Sequence, residues 1–239
     1  VESTVSHESE AERKAIPISI AFLILVTLLP YVVIWFGMNS IKSAAWSLGL
    51  YHLFCLIPTI VWGRKYFLKD LHVPKLWQIG ALLLASVLFS TCAFFVYKFL
   101  GDIILSSEGT MKLLIVLGYT KEIFWPLSVY FIVVNSVLEE LFWRGVVFNR
   151  IDELFHGKKY YGILWSSIAY GAFHYPILQL VVYPGWAEIG ALLLAIYGAL
   201  LAVLYRMTKN IVMPCAAHAV LTDTAAIVLL VALFQRLGV

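Results

Sequence analysis

The sequence predicts an all-α polytopic transmembrane helical bundle, about seven spans plus one interfacial or re-entrant segment. Of 239 residues, 62% are hydrophobic and 13% charged, more apolar side chain than one soluble core absorbs. Several apolar stretches reach the roughly 20 residues that a helix needs to cross the hydrocarbon layer, a length that favours helices over the short alternating strands of a barrel. Three charged residues interrupt one of these stretches, each at a cost of about 2.5–3.5 kcal/mol near the bilayer centre. Such charges need partners, and they point to a function.

Residues 1–15 form a polar, mostly acidic tail that is expected to be disordered and cytoplasmic. It lacks the basic start of a secretory signal, and the apolar run that follows is too long for a signal core, so that run is expected to be a retained span. The chain starts with Val1, so a natural N-terminus is expected to lie upstream. Residues 16–239 are read as one transmembrane domain, with spans at 16–38, 44–62, 76–100, 123–148, 161–182, 189–205 and 211–234. The apolar run 111–118 is too short to cross and is taken as the interfacial or re-entrant piece.

Counted this way, twelve of the seventeen basic residues fall on one face, Arg64, Lys65, Arg144, Arg150, Lys158 and Lys159 among them. Short cytoplasmic loops carry such an excess, so the N-terminus is expected inside a multi-pass integral membrane protein. Lys158 and Lys159 are expected to face anionic headgroups. Trp62, Trp77, Tyr160 and Tyr205 stand near span ends as interfacial anchors. The lipid bilayer is the expected partner, and the small net charge of +3 without a basic–aromatic patch excludes nucleic acid. Cys55, Cys92 and Cys215 have no metal or redox spacing and read as small buried hydrophobes.

Acid, base or ligand chemistry inside the spans is confined to His52, Glu139, Glu140, Arg144, His174, His218 and Asp223. At 1.5 Å per residue, Glu139, His174 and His218 lie about 16, 21 and 12 Å from the same face, so they can meet in one layer. Glu140 and Arg144 are i,i+4 neighbours, which makes them an ion pair; Glu139 points elsewhere, along Asn135 and Trp143. Tyr170 with His174, and His218 with Thr222, form further i,i+4 pairs. His52 lacks a matched partner and is read as structural. Asp223 lines the cavity, substitutes for an amide or pairs at a helix interface. A free carboxylate facing imidazoles can deprotonate water, and a second imidazole and a hydroxyl can donate to an oxyanion, as amide hydrolysis requires.

Glu139-Glu140-Leu141-Phe142-Trp143-Arg144-Gly145, Tyr170-Gly171-Ala172-Phe173-His174 and the run from Asn210 to His218 resemble the three motifs of the CAAX protease and bacteriocin-processing family, intramembrane proteases of the glutamate type. The resemblance lies within residues 123–234 and implies an intramembrane endopeptidase acting on a membrane-associated or lipid-anchored polypeptide. It implies Glu139 as general base, Glu140 and Arg144 as its support, His174 as the water-orienting partner and His218 as oxyanion donor. The family has Phe where Tyr170 stands, and Asn, sometimes Asp, where Thr222 stands; Asp223 comes one position late.

No cofactor is expected. If a divalent metal binds, its ligands would be Glu139, Glu140, His174 and His218, ordinary zinc donors, although no His-Glu-x-x-His run exists and Arg144 disfavours a dication. Two other functions fit the same polar groups. One is a non-catalytic immunity or scaffold protein, favoured by Thr222, and the other a proton-coupled carrier, disfavoured by the common depth of these groups and the lack of an inverted repeat.

Overall fold

Every expected span coincides with a helical stretch in the computed structural model, which describes residues 10–120, 122–155 and 160–237. Positions 1–9, Lys121, 156–159 with Lys158 and Lys159, and 238–239 lie outside the described residues. Among the described residues there is no strand.

In chain order, α1 (Glu10–Phe36) runs into a π-turn (Gly37–Ile41). Ser43 caps α2 (Ala44–Pro58) by accepting from Trp46 N–H, and a π-turn (Thr59–Gly63) leads on to α3 (Arg64–Phe67). Next come α4 (Leu76–Ile104) and α5 (Ser107–Val116). The fourth stretch is segmented into α6 (Phe124–Tyr130), a π-turn (Phe131–Asn135), α7 (Ser136–Phe142), a π-turn (Trp143–Phe148) and α8 (Asn149–Leu154). The chain continues through α9 (Tyr161–Val181) and α10 (Trp186–Thr208) to α11 (Val212–Ala217), a π-turn (His218–Asp223) and α12 (Thr224–Leu237). Among the described residues, five helices are long and apolar enough to cross a membrane: Leu23–Ile41, Ala44–Phe67, Leu76–Ile104, Trp186–Thr208 and Val212–Leu237. The remaining two expected spans hold Glu139, Glu140, Arg144 and His174.

Contacts at the two ends fix the relative direction of the helices. At the first end Lys65 bridges Glu153 at 2.8 Å, Tyr205 donates to Asp70 at 2.6 Å, and Ile211 N–H donates to the Asp70 carbonyl at 2.8 Å. At the second end Ala44 N–H donates to Leu117 O, Tyr183 N–H to Ile104 O, Thr110 Oγ1 to Val181 O, and Arg236 pairs with Asp102 at 2.7 Å. The segment α5 therefore starts and finishes at the second end without crossing. Its buried Met111 and Leu114 pack on Tyr97, Ala232 and Leu233.

Three expectations about single side chains are corrected, the first being Cys92, which is exposed on the outward-facing α4 and not buried. Tyr205 is buried instead of anchoring at an interface, because its hydroxyl joins Asp70 to Asn149. Arg144, counted with the basic face, is fully buried because it is held by Glu140 inside the bundle.

The main core joins α1, α2, α9 and the fourth stretch through Ile34, Tyr51, Cys55, Phe142, Trp143, Val147, Tyr170 and Phe173. The most extensive helix pairing among the described residues is α9 on α10. A Cβ on Gly171 would sit 2.5 Å from the Ala191 carbonyl oxygen and 2.7 Å from Ala195 Cβ, so only glycine permits this approach. Gly171→Leu is expected to push the helices apart and to destabilise the fold by about 1–3 kcal/mol or more. A lowered thermal midpoint in detergent is the predicted outcome; an unchanged midpoint would show the contact to be unimportant.

Candidate active site

Four helical stretches converge on His218. The regular turn of α7 sets Glu139 and Glu140 side by side but diverging, and the following π-turn carries Arg144 back under Glu140. Arg144 Nη1 bonds Glu140 Oε1 at 2.7 Å, both side chains being fully buried, so the pair predicted from i,i+4 spacing forms. Arg144 Nη2 donates to the Gly198 carbonyl of α10 at 2.8 Å, and its guanidinium lies 4.9 Å from the Tyr170 ring centre. These contacts return part of the cost of burying the charge.

His218 Nδ1 lies 2.9 Å from the same Glu140 oxygen. Its Nε2 faces Tyr170 Oη at 3.4 Å, Asp223 Oδ1 at 3.4 Å and Glu139 Oε2 at 3.8 Å. Glu139 has no contact with Arg144. Its Oε2 is buried and makes no hydrogen bond within the protein, as is also true of Asp223 Oδ2. Buried orphan oxygens of this kind are uncommon, and they cluster where a ligand or reacting group belongs.

His174 Nδ1 lies 2.8 Å from the Tyr170 carbonyl oxygen one turn back. A carbonyl only accepts, so Nδ1–H donates and Nε2 keeps the lone pair. The Tyr170 ring separates the two imidazoles, with ring centres 4.6 Å from His174 and 6.0 Å from His218. The structure thus brings Glu139, Glu140, Arg144, Tyr170, His218 and Asp223 into one buried cluster. His174 sits at its edge, half-buried and without a direct bond to either glutamate.

Two further expected residues bond elsewhere. Thr222 donates to the His218 carbonyl at 3.0 Å, within its own helix. Asn135 accepts from His52 Nε2 at 3.0 Å, and His52 Nδ1 meets Tyr130 Oη at 2.5 Å. His52 is therefore partnered through both ring nitrogens, since the π-turn ending at Asn135 faces α2. Sequence reading missed Tyr51, which accepts from Trp143 Nε1 at 3.3 Å, and Tyr197, whose ring lies 6.5 Å from that of His218. Both are aromatics in apolar spans, and no periodicity separates them from core residues.

Carboxylates from α7 and the His218 imidazole thus meet in one buried cluster, with His174 of α9 at its edge. Over residues 121–222 the chain matches the family of type II CAAX prenyl endopeptidases, Rce1-like. The Rce1-like segment runs from the residues just before α6 into the π-turn of His218, and it contains all three motifs. It stops one residue short of Asp223. No curated protein and no solved structure matches the chain. The resemblance read from the motifs is borne out, and a CAAX-type intramembrane protease kind of function on an integral, multi-pass membrane chain is supported.

Among the described residues, no group of three or more His, Cys, Asp or Glu side chains is placed to hold a metal ion, and Glu140 already holds the Arg144 cation.

Proposed function

We propose that this chain is an intramembrane endopeptidase that hydrolyses a peptide bond of a lipid-anchored polypeptide with water activated by Glu139 and His174. The match to CAAX prenyl endopeptidases favours a prenylated C-terminal segment as substrate. One observation carries the proposal: a buried carboxylate, Glu139, with one oxygen that makes no hydrogen bond within the protein, stands 3.8 Å from His218 Nε2, while the neighbouring Glu140 is tied to Arg144. The basic excess at the first end favours a cytoplasmic location for that end.

In this mechanism the nucleophilic water bridges the Glu139 carboxylate and His174 Nε2. Glu139 takes one proton as the water oxygen attacks the scissile carbonyl. The tetrahedral oxyanion accepts hydrogen bonds from His218 Nε2–H and the Tyr170 hydroxyl, the nearest donors to the reacting centre. Glu139 then passes its proton to the leaving amine, and the C–N bond breaks. Glu140 and Arg144 hold His218 through Nδ1. Asn135 and Thr222 act on helix geometry.

The test is cleavage of a farnesylated peptide by the purified protein in bilayers, with an unprenylated peptide and a chelator as separate arms. Cleavage of the prenylated peptide that survives chelation is expected. Loss of cleavage on chelation would overturn the metal-free mechanism. No cleavage together with proton flux would assign a carrier, and neither activity would leave a binding or scaffold role.

A further inference from the structure

A π-turn closes its backbone hydrogen bond five residues on, not four, so the side chain five positions after His218 comes round to its face. That residue is Asp223. Its Oδ1 is 3.4 Å from His218 Nε2, whereas Thr222 turns its hydroxyl onto the backbone. Four successive carbonyls at this turn accept from hydroxyls. Tyr197 donates to Ala217 O at 3.1 Å, Thr222 to His218 O at 3.0 Å, Thr224 to Ala219 O at 2.9 Å and Ser86 to Val220 O. Carbonyls displaced from the regular ladder have no water in the hydrocarbon layer, and hydroxyl side chains satisfy them there. Ser86 comes from α4, outside the Rce1-like segment, and is one of the few buried residues of a helix that otherwise faces outward.

We propose that Ser86, Tyr197, Thr222 and Thr224 lock this π-turn, and that the lock makes Asp223 the positioning residue for His218. The function is specific. Glu140, tied to Arg144, accepts from His218 Nδ1–H, which in a neutral ring would leave Nε2 as an acceptor, unable to donate to an oxyanion. The Asp223 carboxylate at Nε2 supports the second ring proton that makes Nε2 a donor. The other groups facing the ring are Glu139, Tyr170 and Tyr197.

The inference rests on the proposed hydrolysis for its purpose, but its test is spectroscopic. In protein with ¹⁵N-labelled histidine in nanodiscs, the His218 signals, assigned through His218→Gln, are expected to show both nitrogens protonated. Asp223→Asn is expected to remove the second proton. Thr222→Val and Ser86→Ala are expected to shift the same signals and to lower kcat about tenfold at unchanged KM, with Thr222→Ser restoring both. A singly protonated His218 in the unaltered protein, or a spectrum indifferent to Asp223→Asn, would overturn the proposal. Recovery of cleavage by Thr222→Asn in an Asp223→Ala background would do so as well, since it would place residue 222 at the site. Absence of all cleavage with the expected spectra would count against the hydrolase function alone.

Discussion

Glu139→Gln is expected to lower kcat by about 10³-fold or more, with folding and substrate affinity preserved. General-base catalysis contributes about 10²–10⁴-fold, and here the same carboxylate both takes the proton from water and returns it to the leaving amine. The amide is nearly isosteric but holds no exchangeable lone-pair charge. His174→Gln is expected to follow with a smaller loss, since it orients the water without carrying the proton. Steady-state cleavage of the farnesylated peptide, alongside binding of the uncleaved substrate, measures both. Retention of more than a tenth of the activity by Glu139→Gln would remove that residue as the base.

Arg144→Met has the second largest expected effect, and it falls on stability. The guanidinium neutralises Glu140 at 2.7 Å, bonds the Gly198 carbonyl and lies on Tyr170, all with no exposed surface. Removing one member of a buried pair leaves the other charge without compensation, a loss of about 3–5 kcal/mol. The double variant Glu140→Gln, Arg144→Met is expected to regain most of this stability, since two neutral side chains of similar volume leave no stranded charge. It is not expected to regain activity, because the Glu140 carboxylate also fixes His218 Nδ1. Thermal unfolding of the single and double variants in one detergent checks the first statement, and the cleavage assay checks the second. Additive destabilisation would show that the two charges do not act as a pair.

The fold was legible because spans are written in long apolar runs, and the constraint that every backbone group be satisfied within the lipid leaves few alternatives. The buried cluster was legible where charge burial is so costly that a residue type alone stands out: Glu139, Glu140 and Arg144, with His218 found by depth and His174 at the cluster's edge. Side-chain registers that depend on π-turns were not legible. Regular 3.6-residue geometry places Thr222 on the face of His218 and Asp223 away from it, and the turn His218–Asp223 reverses that. His52 escaped for the same reason: its partners Asn135 and Tyr130 lie across a second π-turn, so no fixed spacing links them. Tyr51 and Tyr205 escaped because a buried tyrosine and an interfacial one look alike in sequence.

Direct attack by water at the Glu139–His218 cluster, with no covalent intermediate, is the central step of the proposed hydrolysis. Single-turnover cleavage in H₂¹⁸O, with hydroxylamine added to trap any acyl-enzyme, tests this most directly. The predicted result is one ¹⁸O atom in the newly formed carboxylate and no hydroxamate. Formation of the hydroxamate, or a farnesylated peptide left intact by the folded protein in bilayers, would contradict it.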